Sequence, residues 1–501
     1  MLFKQLDNFV AAMLGMLAVV MLTEHGGVGI SPDSIYYISA AHSVKEGQGF
    51  MQFDDTPFVL FPVLYPIFLL LVEVLTHQDI VVLAPYLNAF LFGIAIFLSG
   101  NLLEKMNVLK PTKWVILIFI ILSPSLLEIY TMLWSETLFI VEMLLFIWLS
   151  FTYFNNSSLK NLLLLASIVS IAAITRLAGV TIIATGALLI LFYQNNKAIH
   201  KLKHLLIYSV VSCFLLALNL IRNFFVASSF TGARQKGDTH FLTNVKYFGE
   251  VLGDWMLVSK YAIFNTIYNA LFLGLFFLIV CSFIFIFHFI KNRKVITIQI
   301  IAISFAFIYS MFMILSATFS KYETINNRLL APLFIPLLLS VVVYFYKSIV
   351  WVQKFIWKFV FICFFIGVSV LVIFGYYSSF MAMNAENKEG GIGGYNDDDW
   401  VYSELLTLLK KEDTYFKMGI PVYSNASHAV YFFTQKHIAI LPETKHLAEL
   451  QNFYALPKNI LIWLNNEDNP AINTLEDIQK HKNLTVLKQC KDGFIFLCTP
   501  K

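Results

Sequence analysis

The stretch Gly29–Pro66, GISPDSIYYISAAHSVKEGQGFMQFDDTPFVLFPVLYP, decides how the rest of the chain is read. It is the first polar interruption after an apolar opening, and Asp33 follows Ser31-Pro32 where that opening has just ended. Ser31-Pro32-Asp33 ahead of Ile35-Tyr36-Tyr37 has the chemistry of a helix start, so Asp33 could be no more than a capping residue. The same stretch runs into a second apolar segment, Pro57–Leu75, and whether that segment crosses a membrane sets the side on which every later loop lies.

Composition settles the class. Of 501 residues 58% are hydrophobic, 16% aromatic and 13% charged, with a mean hydropathy of +0.73. Soluble domains carry about 25% charged residues, and a chain this apolar could not hide its surface from water in ordinary cores. Repeated apolar runs near the length that crosses a ~30 Å hydrocarbon layer predict a polytopic α-helical membrane protein. The net charge of +4 is spread over short loops, which argues against a nucleic-acid partner. Cys213, Cys281 and Cys363 lie in apolar runs and are expected to pack. Cys490 and Cys498 flank Asp492-Gly493, a hairpin signal, and pairing across it is expected to set Cys490 opposite Ile495 rather than Cys498, which disfavours a disulfide. The opening Met1–Thr23 has no small-residue cleavage site and reads as a retained span.

Eleven spans are expected, near 9–28, 80–103, 114–131, 134–154, 162–176, 177–193, 205–226, 261–290, 296–319, 329–346 and 359–383. Lysine and arginine favour cytoplasmic loops. If Pro57–Leu75 stays on the outer side as a re-entrant or juxtamembrane helix, the inner loops hold Lys4, Lys105, Lys110, Lys113, Lys160, Lys197, Lys201, Lys203, Lys291, Arg293, Lys294, Lys347, Lys354 and Lys358. If it crosses, the clusters from Lys105 to Lys358 turn outward. Pro57, Pro62 and Pro66 also weaken a straight spanning helix. The first reading puts the N-terminus in the cytoplasm. A membrane domain then covers 1–383 with outer loops at 24–79 and 227–260, and a small extracytoplasmic α/β domain covers 384–501. In that tail Pro421–Ser424, Ile438–Leu441, Asn459–Leu464 and Phe494–Cys498 read as strands, and Trp400–Lys411 and Leu475–Lys480 as helices.

Ionisable groups at the ends of spans are costly and so draw notice as functional candidates. This topology sets Asp33, Glu136, Arg176, Arg222 and Arg328 at one depth, although nothing in their spacing requires it. Each has a plainer reading: an arginine at a span end can snorkel to headgroups, and Glu136 after Ser135 can cap a helix or pair with an arginine. Asp54-Asp55 is a paired carboxylate of a kind usually found solvated in loops. His25 and His42 lack partners at metal-ligand spacing. The functional reading is chemically specific. Guanidinium groups match phosphate oxygens bidentately and keep their charge, which suits a lipid-linked phosphate. A carboxylate at the same level suits a general base acting on a hydroxyl. Arg328, Arg176, Arg222, Arg234 and Lys236 are then donor-binding candidates, Asp33 the catalytic one, and Glu136, Tyr36, Asp54 and Asp55 supporting ones.

Several phrases resemble GT-C glycosyltransferases of the protein O-mannosyltransferase and aminoarabinose-transferase type. They are PDSIYYISAAHSVKEGQGF with FPVLYPIFLLL, SPSLLEIYTMLWSETLF, AITRLAGV, LIRNFFVASSFTGAR and NNRLLAPLFIPLLL, in family order over roughly residues 10–345. The resemblance implies a GT-C-like fold and a sugar donor carried on polyprenyl phosphate, used at the outer face. It puts the family's catalytic aspartate on Asp33 and its late-span arginine on Arg328, with Arg176 in the TR turn and Glu136 in the SE pair. Ser34 stands where relatives commonly carry a second acidic residue, which leaves dependence on a divalent metal open; no cofactor is otherwise expected.

The expectation is an inverting glycosyltransferase of the inner (plasma) membrane that moves a sugar from a polyprenyl-phosphate donor to a hydroxyl on a glycan, lipid or protein. Two rivals stand beside it: a lipid or glycan transporter or flippase, and a lipid-linked glycan polymerase. A transporter usually holds its site near the midplane and shows two related halves, and neither feature is found here.

Overall fold

The computed structural model describes residues 5–193, 198–232, 234–260, 268–291, 294–321, 323–351, 355–467 and 469–501, except the side chains at 344, 346–351 and 355. Lys4, Lys197, Arg293 and Lys354 of the expected inner basic set lie outside the described residues, as do residues 261–267 of the span expected at 261–290 and the side chain of Lys347. Two compact units form. The first is Met1–Glu24, Val59–Tyr65 and Leu83–Glu386; the second is His25–Phe58, Pro66–Val82 and Asn387–Lys501. The loop expected at 24–79 is therefore divided, with most of it in the unit that holds the tail.

Apolar helices fall on all eleven expected runs. Among the described residues six are long and apolar enough to cross a bilayer unaided: Ile80–Lys105, Glu136–Asn155, Ala198–Ala227, Ala270–Lys291, Ile298–Phe319 and Ile356–Gly390. Lys110–Ile121 and Pro124–Tyr130 form a further pair bent by 52°. The bend has a local cause, since Pro124 cannot continue the preceding helix and Ser123 caps the next, accepting from the Leu126 amide at 3.4 Å. Leu6–Leu22, Leu159–Thr175, Leu177–Phe192 and Asn327–Val343 are shorter apolar helices. So is Leu64–Thr76, whose 13 residues reach about 20 Å, too little for the hydrocarbon layer and in keeping with a juxtamembrane helix.

Side-chain exposure identifies the solvent of the first unit. On Ala270–Lys291, Phe272, Phe276, Ile279 and Phe283 recur at helical spacing and are 54–68% exposed. Such a stripe is stable against lipid and not against water. Polar groups are satisfied inward. Lys113, 3% exposed, donates to Glu104 at 2.8 Å and Asn8 at 3.1 Å and pairs with Asp7 at 3.1 Å, tying the first helix to its neighbours.

The tail in the second unit folds on a five-stranded sheet: β1 (Val422–Ser424), β2 (Ala439–Ile440), β3 (Asn459–Leu464), β4 (Lys482–Cys490) and β5 (Gly493–Pro500), in the order β2-β1-β3-β5-β4. β1 runs parallel to β2 and β3, and parallel pairing requires crossovers, which the helices Ser427–Thr434 and Leu447–Ala455 supply. β5 is antiparallel to β3 and β4. Leu441, Phe453, Leu461, Ile478, Phe496 and Cys498 form a core cluster. Two expectations are corrected. The β4–β5 turn is tighter than expected, so Cys490 lies opposite Gly493 while Ile495 pairs with Lys488; all five cysteines are free thiols. β4 itself was not foreseen: most of its side chains face out, so no apolar alternation marks it, and its pairing with β5 alone makes it a strand.

Candidate functional site

In the first unit, helix ends bring three of the expected residues together. Glu136 opens the helix Glu136–Asn155 and is 0% exposed. Its carboxylate accepts from Arg328 Nε at 2.8 Å and is in contact with Arg176 Nη1, which also donates to Ser135 Oγ at 3.0 Å. The Arg328 guanidinium lies over the Trp134 ring at 4.1 Å, and Glu323 is 3.6 Å from its Nη1. A carboxylate offers about four lone-pair sites, whereas two guanidiniums present ten N–H donors. Glu136 therefore orients both arginines without saturating them, and one negative charge sits between two positive ones. Placed at a helix N-terminus, that charge also meets the positive end of the helix dipole.

Each member is held from behind. Tyr309 donates to the Leu329 carbonyl at 2.8 Å, Trp255 Nε1 to Asn327 Oδ1 at 3.0 Å, and Asn326 Oδ1 accepts from the Leu329 amide at 3.0 Å, which together fix the turn that carries Arg328. Trp255 ends the helix Phe241–Trp255, so the loop expected at 227–260 braces the arginine's helix directly. Arg176 is extended, with φ −144° and ψ 143°, between Leu159–Thr175 and a single 3₁₀ turn, Leu177–Gly179. A Cβ on Gly179 would stand 2.5 Å from the Ala172 carbonyl oxygen, so this close return of the chain requires glycine. Thr175 donates to the buried Glu142 at 2.8 Å from the adjoining position.

The other cationic candidates occupy the neighbouring loop and its helix. Arg222, near the end of Ala198–Ala227, donates to Asn223 Oδ1 at 3.0 Å, and Asn223 donates to the Phe230 carbonyl at 2.9 Å. Arg234 Nε lies 3.4 Å from Thr231 Oγ1. Lys236 is fixed by its backbone, in a bridge with Ser320 at the end of Ile298–Phe319.

In the second unit, Asp33 lies in the first turn of the helix Pro32–Lys45. Ser34 accounts for the departure from the family pattern: it is fully buried and completes a capping box, with the Ser31 amide donating to Ser34 Oγ at 3.0 Å and the Ser34 amide to Ser31 Oγ at 3.4 Å. Tyr36 follows one turn after Asp33. Burial, with the fields of Asp54 and Asp33 added, pushes its hydroxyl well above the ordinary tyrosine range. Asp54 accepts from Thr56 Oγ1 at 2.6 Å and from its amide at 3.1 Å, while Asp55, at φ 63°, meets His437 Nδ1 at 2.9 Å. The four acidic and phenolic candidates thus belong to one unit with the tail. Among the described residues no group of three or more His, Cys, Asp or Glu side chains is placed to hold a metal ion.

No family model matches the sequence, and no curated protein matches it significantly. Solved structures do match its backbone. ArnT from Cupriavidus metallidurans in the apo state aligns over 99% of this chain and 98% of its own, with a TM-score of 0.61 and 12% identity. The same protein bound to undecaprenyl phosphate aligns over 97% and 96%, with a TM-score of 0.61 and 10% identity. The chain has the ArnT fold. The GT-C-like architecture expected above is therefore the one observed, and the alignment reaches through the tail.

Within this ArnT-like fold, Trp134, Trp255 and Glu142 escaped sequence reasoning. Trp134 and Ser135 lie inside a quoted motif, and their nearness to Glu136 was available as a signal. Nothing local joins Trp255 to Asn327, 72 residues apart, because only tertiary packing brings them into contact.

Proposed function

We propose that this membrane protein is a glycosyltransferase that takes a sugar from a polyprenyl-phosphate donor and gives it to a hydroxyl group. What carries the reading is full-length likeness in fold to ArnT, one of whose structures holds undecaprenyl phosphate. A buried carboxylate orienting two arginines adds chemistry suited to a phosphate. In the proposed step, Asp33 takes the proton from the acceptor hydroxyl as its oxygen attacks the anomeric carbon. The bond from that carbon to the phosphate oxygen breaks, and the electron pair leaves with the polyprenyl phosphate. A single displacement of this kind inverts the anomeric centre. Arg176 and Arg328, held by Glu136, stabilise the charge that grows on the leaving phosphate, the kind of preorganised electrostatics that dominates many enzymes. Arg222, Arg234 and Lys236 extend that positive field, and Tyr36, Asp54 and Asp55 shape the surroundings of the base. The reading places the protein in the inner membrane with its N-terminus in the cytoplasm.

The test uses the full chain in lipid vesicles with a panel of radiolabelled undecaprenyl-phosphate hexoses and pentoses and a native lipid extract as acceptor. General-base catalysis contributes about 10²–10⁴-fold, so Asp33→Asn is expected to slow transfer by that order while binding undecaprenyl phosphate as wild type does. Undiminished transfer by the variant removes Asp33 from the mechanism. Transfer by wild type to none of the acceptors with any donor in the panel counts against the reading as a whole.

A further inference from the structure

The second unit joins the Asp33-bearing loop to the tail at each of its segments. At the start of the loop, the Tyr395 amide donates to the Ile30 carbonyl at 2.8 Å, Asn396 donates to the Val28 carbonyl at 3.2 Å, and His25 meets Asp398 at 3.0 Å. Gly394, at φ +136°, comes so near that a Cβ would stand 2.5 Å from the Ile30 carbonyl oxygen. At the end of the loop, the Ile438 amide donates to the Phe53 carbonyl at 3.2 Å. Between them, the tail helix Ser427–Thr434 lies against Pro32–Lys45, and His42 Nδ1 meets Gln435 Oε1 at 3.2 Å.

His428 stands at the centre of this joint. Its ring is 5.2 Å from Tyr36, edge-on at 82°, and 4.8 Å from Phe53; Tyr395 lies 6.2 Å away in a parallel plane. Phe53 is 0% and Tyr395 7% exposed, so these walls do not yield easily. Nε2 of His428 is sealed from solvent and has no hydrogen-bond partner among the described residues, so at this joint the imidazole serves as a wedge of aromatic volume. A helix of 14 residues is marginal in isolation even with a good cap, and it depends on tertiary packing for its place. Tyr36 and Asp33 are three positions apart and share a face of that helix.

We infer that His428 is a positioning residue contributed by the tail: wedged against Tyr36 and Phe53, it sets the placement of the helix that carries Asp33. The inference gives the tail a role in the reaction and rests on the reading of Asp33 as the base. A base misplaced by about 1 Å can cost 10²-fold in rate. His428→Ala removes the wedge, whereas His428→Phe keeps an aromatic ring there, somewhat larger than the imidazole, and loses both ring nitrogens.

Hydrogen–deuterium exchange on the full chain in nanodiscs tests the placement without any substrate. Amides within 35–45 are expected to exchange about tenfold faster in His428→Ala and within about twofold of wild type in His428→Phe. Undecaprenyl phosphate should bind all three proteins alike. With the labelled donors, His428→Ala should lower kcat by about 10–100-fold at unchanged donor KM, and His428→Phe should restore most of it. Unaltered exchange in His428→Ala overturns the inference, and so does a loss of kcat matched by an equal loss of undecaprenyl phosphate binding. If His428→Ala does not fold, His428→Leu takes its place under the same criteria. Asp33→Asn runs alongside: full transfer by that variant defeats the base assignment, while the exchange result still reports whether His428 holds the helix.

Discussion

Replacing Glu136 with glutamine keeps the shape of the side chain and removes the charge that both Arg176 and Arg328 face. Glutamine offers one carbonyl acceptor and turns an NH₂ donor toward the other guanidinium, so at least one arginine loses its partner. The position is 0% exposed, and removing one member of a buried ion pair costs about 3–5 kcal/mol because a charge is left uncompensated. With an unfolding entropy of about 2.1 cal/mol/K per residue, a unit as large as Leu83–Glu386 with its added segments corresponds to ~0.7 kcal/mol per kelvin, so the midpoint should fall by about 4–7 °C. Thermal unfolding in nanodiscs, followed by tryptophan fluorescence, measures this. A double-mutant cycle with Arg328→Leu should give a coupling of at least about 1.5 kcal/mol, since residues in direct contact are not additive. A midpoint shift under ~1 °C, or additivity within about 0.5 kcal/mol, would refute the claim that Glu136 organises the two arginines.

Gly179→Ala forces a Cβ to within 2.5 Å of the Ala172 carbonyl oxygen and 2.6 Å of the Ala173 Cα, backbone atoms that cannot rotate away. It should destabilise the turn by about 1–3 kcal/mol and weaken undecaprenyl phosphate binding by moving Arg176, as titration with the lipid will show. Burial pushes the His428 imidazole down to about 4, while an unfolded histidine titrates near 6.5. Because the unfolded chain binds the extra proton first, stability from this group is complete above about pH 6.5 and is lost as pH falls toward 4, by about 3 kcal/mol in all. Comparing wild type with His428→Phe between pH 7 and 4 isolates that contribution, which should vanish in the variant.

The charge balance around the arginines bears on what they can bind. Glu136 neutralises half of their charge, and Glu323, with a side chain 46% exposed, is screened by water. Glu128 is close enough for its field to reach Arg328. A phosphate arriving here would thus meet a site held in shape by carboxylates rather than a bare cluster of positive charge. Such a site favours geometry over raw attraction, because guanidinium forks already oriented lose little freedom when a second oxyanion docks.

Run length and composition were enough to identify a polytopic membrane protein and to place its apolar helices, because crossing a hydrocarbon layer is a demand that each segment meets by itself. Local chemistry was legible in part: Ser31-Pro32-Asp33 announces the start of the helix bearing Asp33, whereas the span expected at 114–131 runs through Pro124, where the structure bends it by 52°. Sequence also selected Glu136, Arg176 and Arg328 as residues at one depth, with pairing of Glu136 to an arginine among its plainer readings. That Arg328 reaches across 192 positions to Glu136, and that Trp255 braces the turn beside it, depends on which helices pack together. Likewise β4 exists because β5 pairs with it, although its own side chains carry no alternation. The loop Gly29–Pro66 shows the division most clearly. Its cap, its helix and its aspartate are written within a few residues, whereas the joining of His25–Phe58 to the tail, through His428, Tyr395 and Ile438, comes from contacts hundreds of residues apart that no local pattern encodes.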